Sequence, residues 1–253
     1  MERRPCARPH GGIDFFQSLE DKYGRSSNPW KAVRNSRPLQ MNRAARYPRP
    51  PKPGPAPPAG RPKSASGRRR GCGADLRPAV FFDRDGIVNR SPGAGYVERW
   101  EDFHLLPAFV EALRVVRERG YEAVIVTNQR GVALGRMSRE TLDDIHRRLE
   151  ERLRQSGLDL LDIRVCTADD DHDPRRKPHP GMLLEAARQH RLDLARSWMI
   201  GDSERDIEAG RRAGCAVTVR VASDTEETAA DLRVPGMEAL PRLLAERLPP
   251  ADL

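Results

Sequence analysis

The sequence predicts an α/β fold, a parallel sheet with helices on both faces, and three observations predict it. Short apolar runs recur at 79–83, 121–127, 160–166, 198–202 and 216–221, none long enough for a buried helix. Amphipathic helical periods lie between them, over 108–119 and 139–155. Each run also closes on, or is soon followed by, polar residues. Strands that alternate with helices belong to parallel sheets, whose crossovers cover both faces. In such sheets a ligand lies beyond the carboxyl ends of the strands.

Taken in order, the first run, "AVFFD", carries Val80, Phe81 and Phe82 straight into Asp83, Arg84 and Asp85. If 79–83 is a central strand, Asp83 sits at its carboxyl end, and a period of two puts Asp83 and Asp85 on the same side. Gly86 permits a sharp exit. A lone Asp-x-Asp is also a common pair of solvated turn aspartates. The period 108–119 places Phe109, Leu113 and Val116 on one face, with Pro107 suited to a first helical position. The run 121–127 ends in Thr127 and Asn128, whose hydroxyl and amide can hold phosphate oxygens; Thr-Asn also makes a good turn. The period 139–155 aligns Leu142, Ile145, Leu149 and Leu153 behind an N-cap candidate, Ser138. After 160–166, "RRKPHPGM" presents Arg176 and Lys177 ahead of two prolines, just before a helix; alone it reads as a surface charge pair. The run 198–202 ends in Asp202, with Asp206 four residues on. Alone, these aspartates suit the positive end of a helix dipole.

Composition bounds the rest. The 253 residues carry a net charge of +8. Residues 1–76 hold 17 Lys and Arg against 5 Asp and Glu, a net +12, and the remainder hold 28 against 32, a net −4. The basicity therefore belongs to the N-terminal segment. That segment also holds 12 of the 22 prolines and reads as a disordered tail with polyproline character, leaving 77–253 as the folded domain. The tail is a solvated extension, an upstream start with Met41 as the alternative, or a basic arm that touches nucleic acid. "MERRP" has no apolar stretch after it, so no export signal is expected. No run of 18 apolar residues occurs, which leaves no membrane-spanning helix. Cys6, Cys72, Cys166 and Cys215 show neither paired nor regular spacing, and a reduced, cytoplasmic protein is expected.

The four polar closings, in this order, resemble the motifs of the haloacid dehalogenase superfamily of phosphotransferases: an Asp-x-Asp, a Ser/Thr, a Lys and an acidic motif. The resemblance covers 79 to about 221 and implies a Rossmann-like domain. It also implies Mg²⁺ held by the carboxylates of Asp83 and Asp202 with the backbone carbonyl of Asp85. Asp83 is then the nucleophile and Asp85 the acid and base. Thr127, Asn128 and Lys177 are expected to bind phosphate, and Asp206 to brace Lys177 or the metal shell. From Asp83 to Thr127 is 44 positions and from Thr127 to Lys177 is 50, all filled by core elements, so no inserted cap domain is expected.

Further strings narrow the match. "DRDGIVN", "EDFHLLPAFVEAL", "VTNQRGVALGRMS", "RKPHPGML" and "IGDSERDIEAGRRAG" resemble the D-glycero-D-manno-heptose 1,7-bisphosphate phosphatases and the related histidinol phosphatases. That resemblance implies that Arg176 recognises substrate and that Asn89 lies in a substrate-facing loop. It also exposes departures. These families carry a zinc loop, but here Cys166 is followed by Ala168 where a histidine falls, and no later cysteine pair occurs. Zinc is therefore not expected, and Asp169 to Asp173 read as a solvated loop that disfavours highly anionic substrates. Leu134 and Arg130 replace an Arg and a small residue. The expected activity is Mg²⁺-dependent hydrolysis of a small phosphorylated sugar, the heptose bisphosphate, by a monomer or small homo-oligomer. Histidinol phosphate and nucleic-acid 3′ ends are the alternatives, the last opposed by the net −4 of the domain.

Overall fold

A computed structural model of the chain describes residues 76–223 and 227–252. The tail expected over 1–76 lies outside them except for Leu76. Six strands form one all-parallel sheet: β1 (Ala79–Phe82), β2 (Glu122–Asn128), β3 (Asp162–Cys166), β4 (Trp198–Gly201), β5 (Val217–Val221) and β6 (Leu232–Val234). Their spatial order is β3-β2-β1-β4-β5-β6. The helices are α1 (Pro107–Glu118), α2 (Arg139–Gln155), α3 (Gly181–His190), α4 (Glu204–Ala213) and α5 (Leu240–Arg247).

The four residues of β1 are all fully buried because the strand faces a core on each side. Val80 and Phe82 join the cluster that includes Phe109 and Leu113 of α1, Ile145 and Leu149 of α2, and Leu240 and Leu244 of α5. Ala79 and Phe81 join Met182 and Leu183 of α3 and Ala209 of α4. Such double burial explains a continuous apolar run without polar alternation. Phe82 meets Phe109 edge-on, with centroids 5.3 Å apart.

Both expected helix starts are present. Pro107 opens α1, and the Ser138 hydroxyl accepts from the Thr141 N–H at 3.1 Å. The strand β6 and the helix α5 go beyond the sequence prediction. A three-residue strand is too short to show a period.

The winding sets the site. From β1 the chain moves to β2 and β3 on one side, then returns to β4, β5 and β6 on the other. The switch point is therefore at the carboxyl end of β1, where such sheets leave a crevice. Phe82 pairs with Ile125 of β2 and Ile200 of β4, which brings Asp83 level with the carboxyl-terminal parts of both neighbouring strands. Among the described residues, no helix is long and apolar enough to cross a membrane.

Because the Phe82–Phe109 pair underlies the first residue after β1, Phe109→Ala should lower stability by about 3–5 kcal/mol. Chemical denaturation checks this. A loss under 1 kcal/mol would mean that the site has a different foundation.

Candidate active site

The acidic part of the site is built at the ends of β1 and β4. The Asp83 N–H donates to the Ile200 carbonyl at 2.9 Å, which fixes the first residue after β1 against β4. Asp202 follows β4 directly, and Asp206 lies in the first turn of α4. There Asp206 Oδ2 accepts from the Ser203 N–H and hydroxyl, closing a capping box. Gly86 has φ +89° and lies so close to Asp202 that a Cβ would sit 2.0 Å from Oδ2. Only glycine allows this approach. Oxygens of Asp83, Asp202 and Asp206 all lie within 4.8 Å of one another.

Lys177 enters this cluster from the loop after β3. Its Nζ lies 2.6 Å from Asp83 Oδ1 and 2.6 Å from Asp206 Oδ1, and it donates to the Val126 carbonyl at 2.8 Å. All three ammonium protons are thus committed. Burial alone would depress Lys177, but Asp206 and Asp83 outweigh it and hold the amine above its ordinary value. Burial pushes the Asp83 carboxyl up to about 7 against the pull of Lys177, with Asp206 adding to the rise. Burial and then Asp206 raise Asp202 to about 6. Three carboxylates face one ammonium, a deficit of two positive charges. A divalent, oxygen-preferring cation fits that deficit and that donor set. Asp83 keeps 13 % of its side chain exposed, whereas Lys177 keeps 3 %, so the nucleophile candidate is the accessible member of the pair.

Asp85 is oriented separately. Its Oδ1 accepts from Asn89 Nδ2 at 2.9 Å and from Arg84 Nη2 at 3.1 Å, and its Oδ2 from Gln129 Nε2 at 3.0 Å and Arg84 Nη2 at 3.0 Å. It remains 24 % exposed on its open side. Gln129 Nε2 also donates to Thr127 Oγ1 at 2.8 Å. Because the amide nitrogen can only donate, that bond leaves the Thr127 proton free to be given elsewhere. The sequence reading missed Arg84, Gln129 and His146, whose Nε2 lies 3.3 Å from Arg84 Nη1. Arg84 stands between the two aspartates of the Asp-x-Asp, where a charged residue looks solvated.

Three expected roles meet a different geometry. Asn89 is fully buried rather than substrate-facing, and its Nδ2 is divided between Asp85 and the Arg90 carbonyl. Asn128 uses both ends of its amide on the Lys177 backbone, at 3.0 Å each, so it clamps the lysine instead of presenting a free group to phosphate. Arg176 is buried, with Nε on Asp171 at 2.8 Å and Nη1 on the Ala168 carbonyl at 3.1 Å. Its guanidinium therefore ties down the 168–171 loop. The same loop is held by an Arg130–Asp169 ion pair, and Arg175 Nη2 ties the segment before Lys177 to the Val165 carbonyl of β3 at 2.6 Å. Asp171 is nonetheless 84 % exposed, and its pairing with Arg176 holds its carboxyl below the ordinary range. Cys166 is buried at the end of β3, and burial pushes its thiol up.

A family model for haloacid dehalogenase-like hydrolases matches residues 79–211, from the start of β1 into α4. The chain belongs to this family. A D-glycero-D-manno-heptose-1,7-bisphosphate 7-phosphatase of Thermosynechococcus vestitus is 39 % identical over 152 residues, 55 % of this chain and 76 % of the relative. A D-glycero-beta-D-manno-heptose-1,7-bisphosphate 7-phosphatase of Escherichia coli K12 is 32 % identical over 192 residues, 69 % of this chain and 97 % of the relative. The crystal structure of a D,D-heptose 1,7-bisphosphate phosphatase from B. bronchiseptica, complexed with magnesium and phosphate, superposes with a TM-score of 0.60 at 30 % identity. It covers 67 % of this chain and 98 % of its own. The chain is a phosphatase of the haloacid dehalogenase type.

Gly86→Ala should reduce turnover by at least about 100-fold, since the added carbon displaces Asp202 and about 1 Å of misplacement carries that penalty. Steady-state kinetics beside a melting curve checks it. Full activity would show that Asp202 is not needed where it stands.

Proposed function

We propose that the chain hydrolyses a phosphomonoester through an aspartyl phosphate on Asp83, and that its substrate is D-glycero-D-manno-heptose 1,7-bisphosphate, cleaved at the 7-phosphate. The observation that carries this reading is the cluster of Asp83, Asp202, Asp206 and Lys177 at the strand ends, in a chain whose relatives of that name match it at 32 to 39 % identity. Mg²⁺ would be held by the carboxylates of Asp83 and Asp202 and the Asp85 carbonyl, and would supply the positive charge that an anionic nucleophile needs to meet an anionic phosphate.

Asp83 attacks phosphorus as the ester oxygen departs with its bonding pair and takes a proton from Asp85. Asp85 then removes a proton from water, which attacks the phosphoaspartate, releases phosphate and restores Asp83. On phosphorylation Asp83 loses its charge, so Lys177 exchanges that partner for a phosphoryl oxygen while Asp206 and Val126 keep it in place. Thr127 donates its free proton to a second phosphoryl oxygen. Asp206 acts as the brace of Lys177. Arg176 and Asn89 serve by holding the 168–171 loop and Asp85. The proposed setting is one phosphatase domain over 77–253, acting in the cytoplasm on a small sugar phosphate as a monomer or small homo-oligomer, without zinc and without nucleic acid.

A screen of the full chain with Mg²⁺ against the heptose bisphosphate, histidinol phosphate and DNA 3′-phosphate ends tests the substrate. The heptose bisphosphate should give the highest kcat/KM, and a better value on either competitor would reassign it. Asp83→Asn should abolish turnover in a chain that circular dichroism shows to be folded, and elemental analysis should find no stoichiometric zinc.

The charge deficit makes a separate prediction. Asp83 and Asp202 titrate above the ordinary carboxylate value of about 4, so in the metal-free folded state these two carboxyls hold more protons than in the unfolded state between about pH 4 and pH 7, an excess that the depressed His146 offsets only in part. Stability should therefore fall as pH rises through that window. Mg²⁺ binds the ionised form, so the stability it adds should be larger at pH 8 than at pH 5, about 2.7 kcal/mol at 100-fold its Kd, and melting curves at the two pH values check it. Equal gains at the two pH values would sink this account.

A further inference from the structure

Arg84 is a fully buried guanidinium with no part in the proposed chemistry. An isolated charge in that position would be severely destabilising, so the contacts that retain it are informative. Nε and Nη2 go to the adjacent Asp85, with three contacts between 3.0 and 3.2 Å. Nη1 goes to His146 Nε2 at 3.3 Å, and the face of Phe103 lies 5.9 Å from Cζ. A pair of sequence neighbours can meet in this way because the chain turns tightly. The Arg84 carbonyl accepts from the N–H groups of Val88 and Asn89 at 2.8 and 3.1 Å.

His146 lies on the inward face of α2, beside Leu142, Ile145 and Leu149, where an apolar residue would be the ordinary occupant. Arg84 can only donate, so His146 Nε2 must present a lone pair and the ring must be neutral. Burial, with the Arg84 charge adding to it, pulls the imidazole down to about 3, which agrees.

We infer that His146 and Arg84 are positioning residues for Asp85: the α2 imidazole sets the plane of the guanidinium, and the guanidinium sets the plane of the carboxylate. The inference rests on the reading of Asp85 as acid and base. Asn89 and Gln129 secure one oxygen each, while Arg84 alone bridges both. With the bridge intact, the carboxylate cannot rotate away from the departing oxygen. The nucleophile has its own support in Lys177 and the Ile200 carbonyl, so loss of the His146 bond should impair proton delivery and spare the attack on phosphorus.

A series of aryl and alkyl phosphates with graded leaving groups separates the two, since kcat/KM reports the step in which the ester oxygen leaves. p-Nitrophenolate departs without a proton, whereas an alkoxide needs one. His146→Phe, which keeps the ring and removes the acceptor, should lower kcat/KM on an alkyl phosphate by about 100-fold, the lower end of what acid catalysis supplies. On p-nitrophenyl phosphate the loss should stay within a few-fold, so the dependence on leaving group steepens. His146→Gln, whose Oε1 can accept from Nη1, should restore most of the alkyl rate. An unchanged dependence, or an equal loss on every ester, would overturn the inference. Turnover is not the sole readout. In ¹⁵N NMR the Arg84 Nε–H should exchange slowly with solvent in the parent and in His146→Gln, and fast in His146→Phe; equal exchange in all three would also overturn it. Inactivity of the parent on every ester would instead remove the phosphatase reading, with the exchange measurement still deciding whether His146 orders Arg84.

Discussion

The site depends on one buried ammonium. Lys177 holds Asp83 from β1 and Asp206 from α4 together, and its third proton reaches the Val126 carbonyl within β2. Elements on both sides of the switch point are thereby tied through a single nitrogen. A Lys in this position must have a fixed backbone, which Asn128 provides by gripping its N–H and carbonyl. An arginine could not replace it, because a planar fork cannot serve three partners around one point.

Around that nitrogen the site divides into two supports. Asp83 and Asp202 rest on strand ends and on the close approach of Gly86 to Asp202. Asp85 rests on side chains, namely Arg84, Asn89 and Gln129, with His146 behind them. Gln129 is the link between the halves, since it touches both Asp85 and Thr127. Movement of the Asp85 carboxylate is thus coupled to the Thr127 hydroxyl.

The parallel sheet and its five main strands were legible because double burial writes itself as unbroken apolar runs such as "AVFF" and "AVIVT". Asp83, Thr127, Lys177 and Asp202 were legible because each stands where such a run or its following loop ends. Strand β6 was not, since "LRV" has one buried residue and no period. Arg84 and His146 were hidden for a different reason. A charged residue within an Asp-x-Asp and a histidine on a charged helix both look solvated until the tertiary fold buries them against each other. Asn128 and Arg176 misled in the opposite sense: groups able to bind phosphate are equally able to bind a backbone or a carboxylate, and a sequence does not show which partner is nearer.

The Asp83–Ile200 backbone bond joins positions far apart in the chain, and the groups that surround Asp83 arrive in the order Asp85, Thr127, Lys177, Asp202, Asp206. During synthesis Asp83 emerges early, but its partner Lys177 is made 94 positions later, and the β1–β4 pairing waits for residue 200. Non-local pairing of this kind is a late event in folding. A partly made chain therefore carries Asp83 without Lys177 and Asp202 beside it, and the proposed site is complete only once β4 pairs with β1.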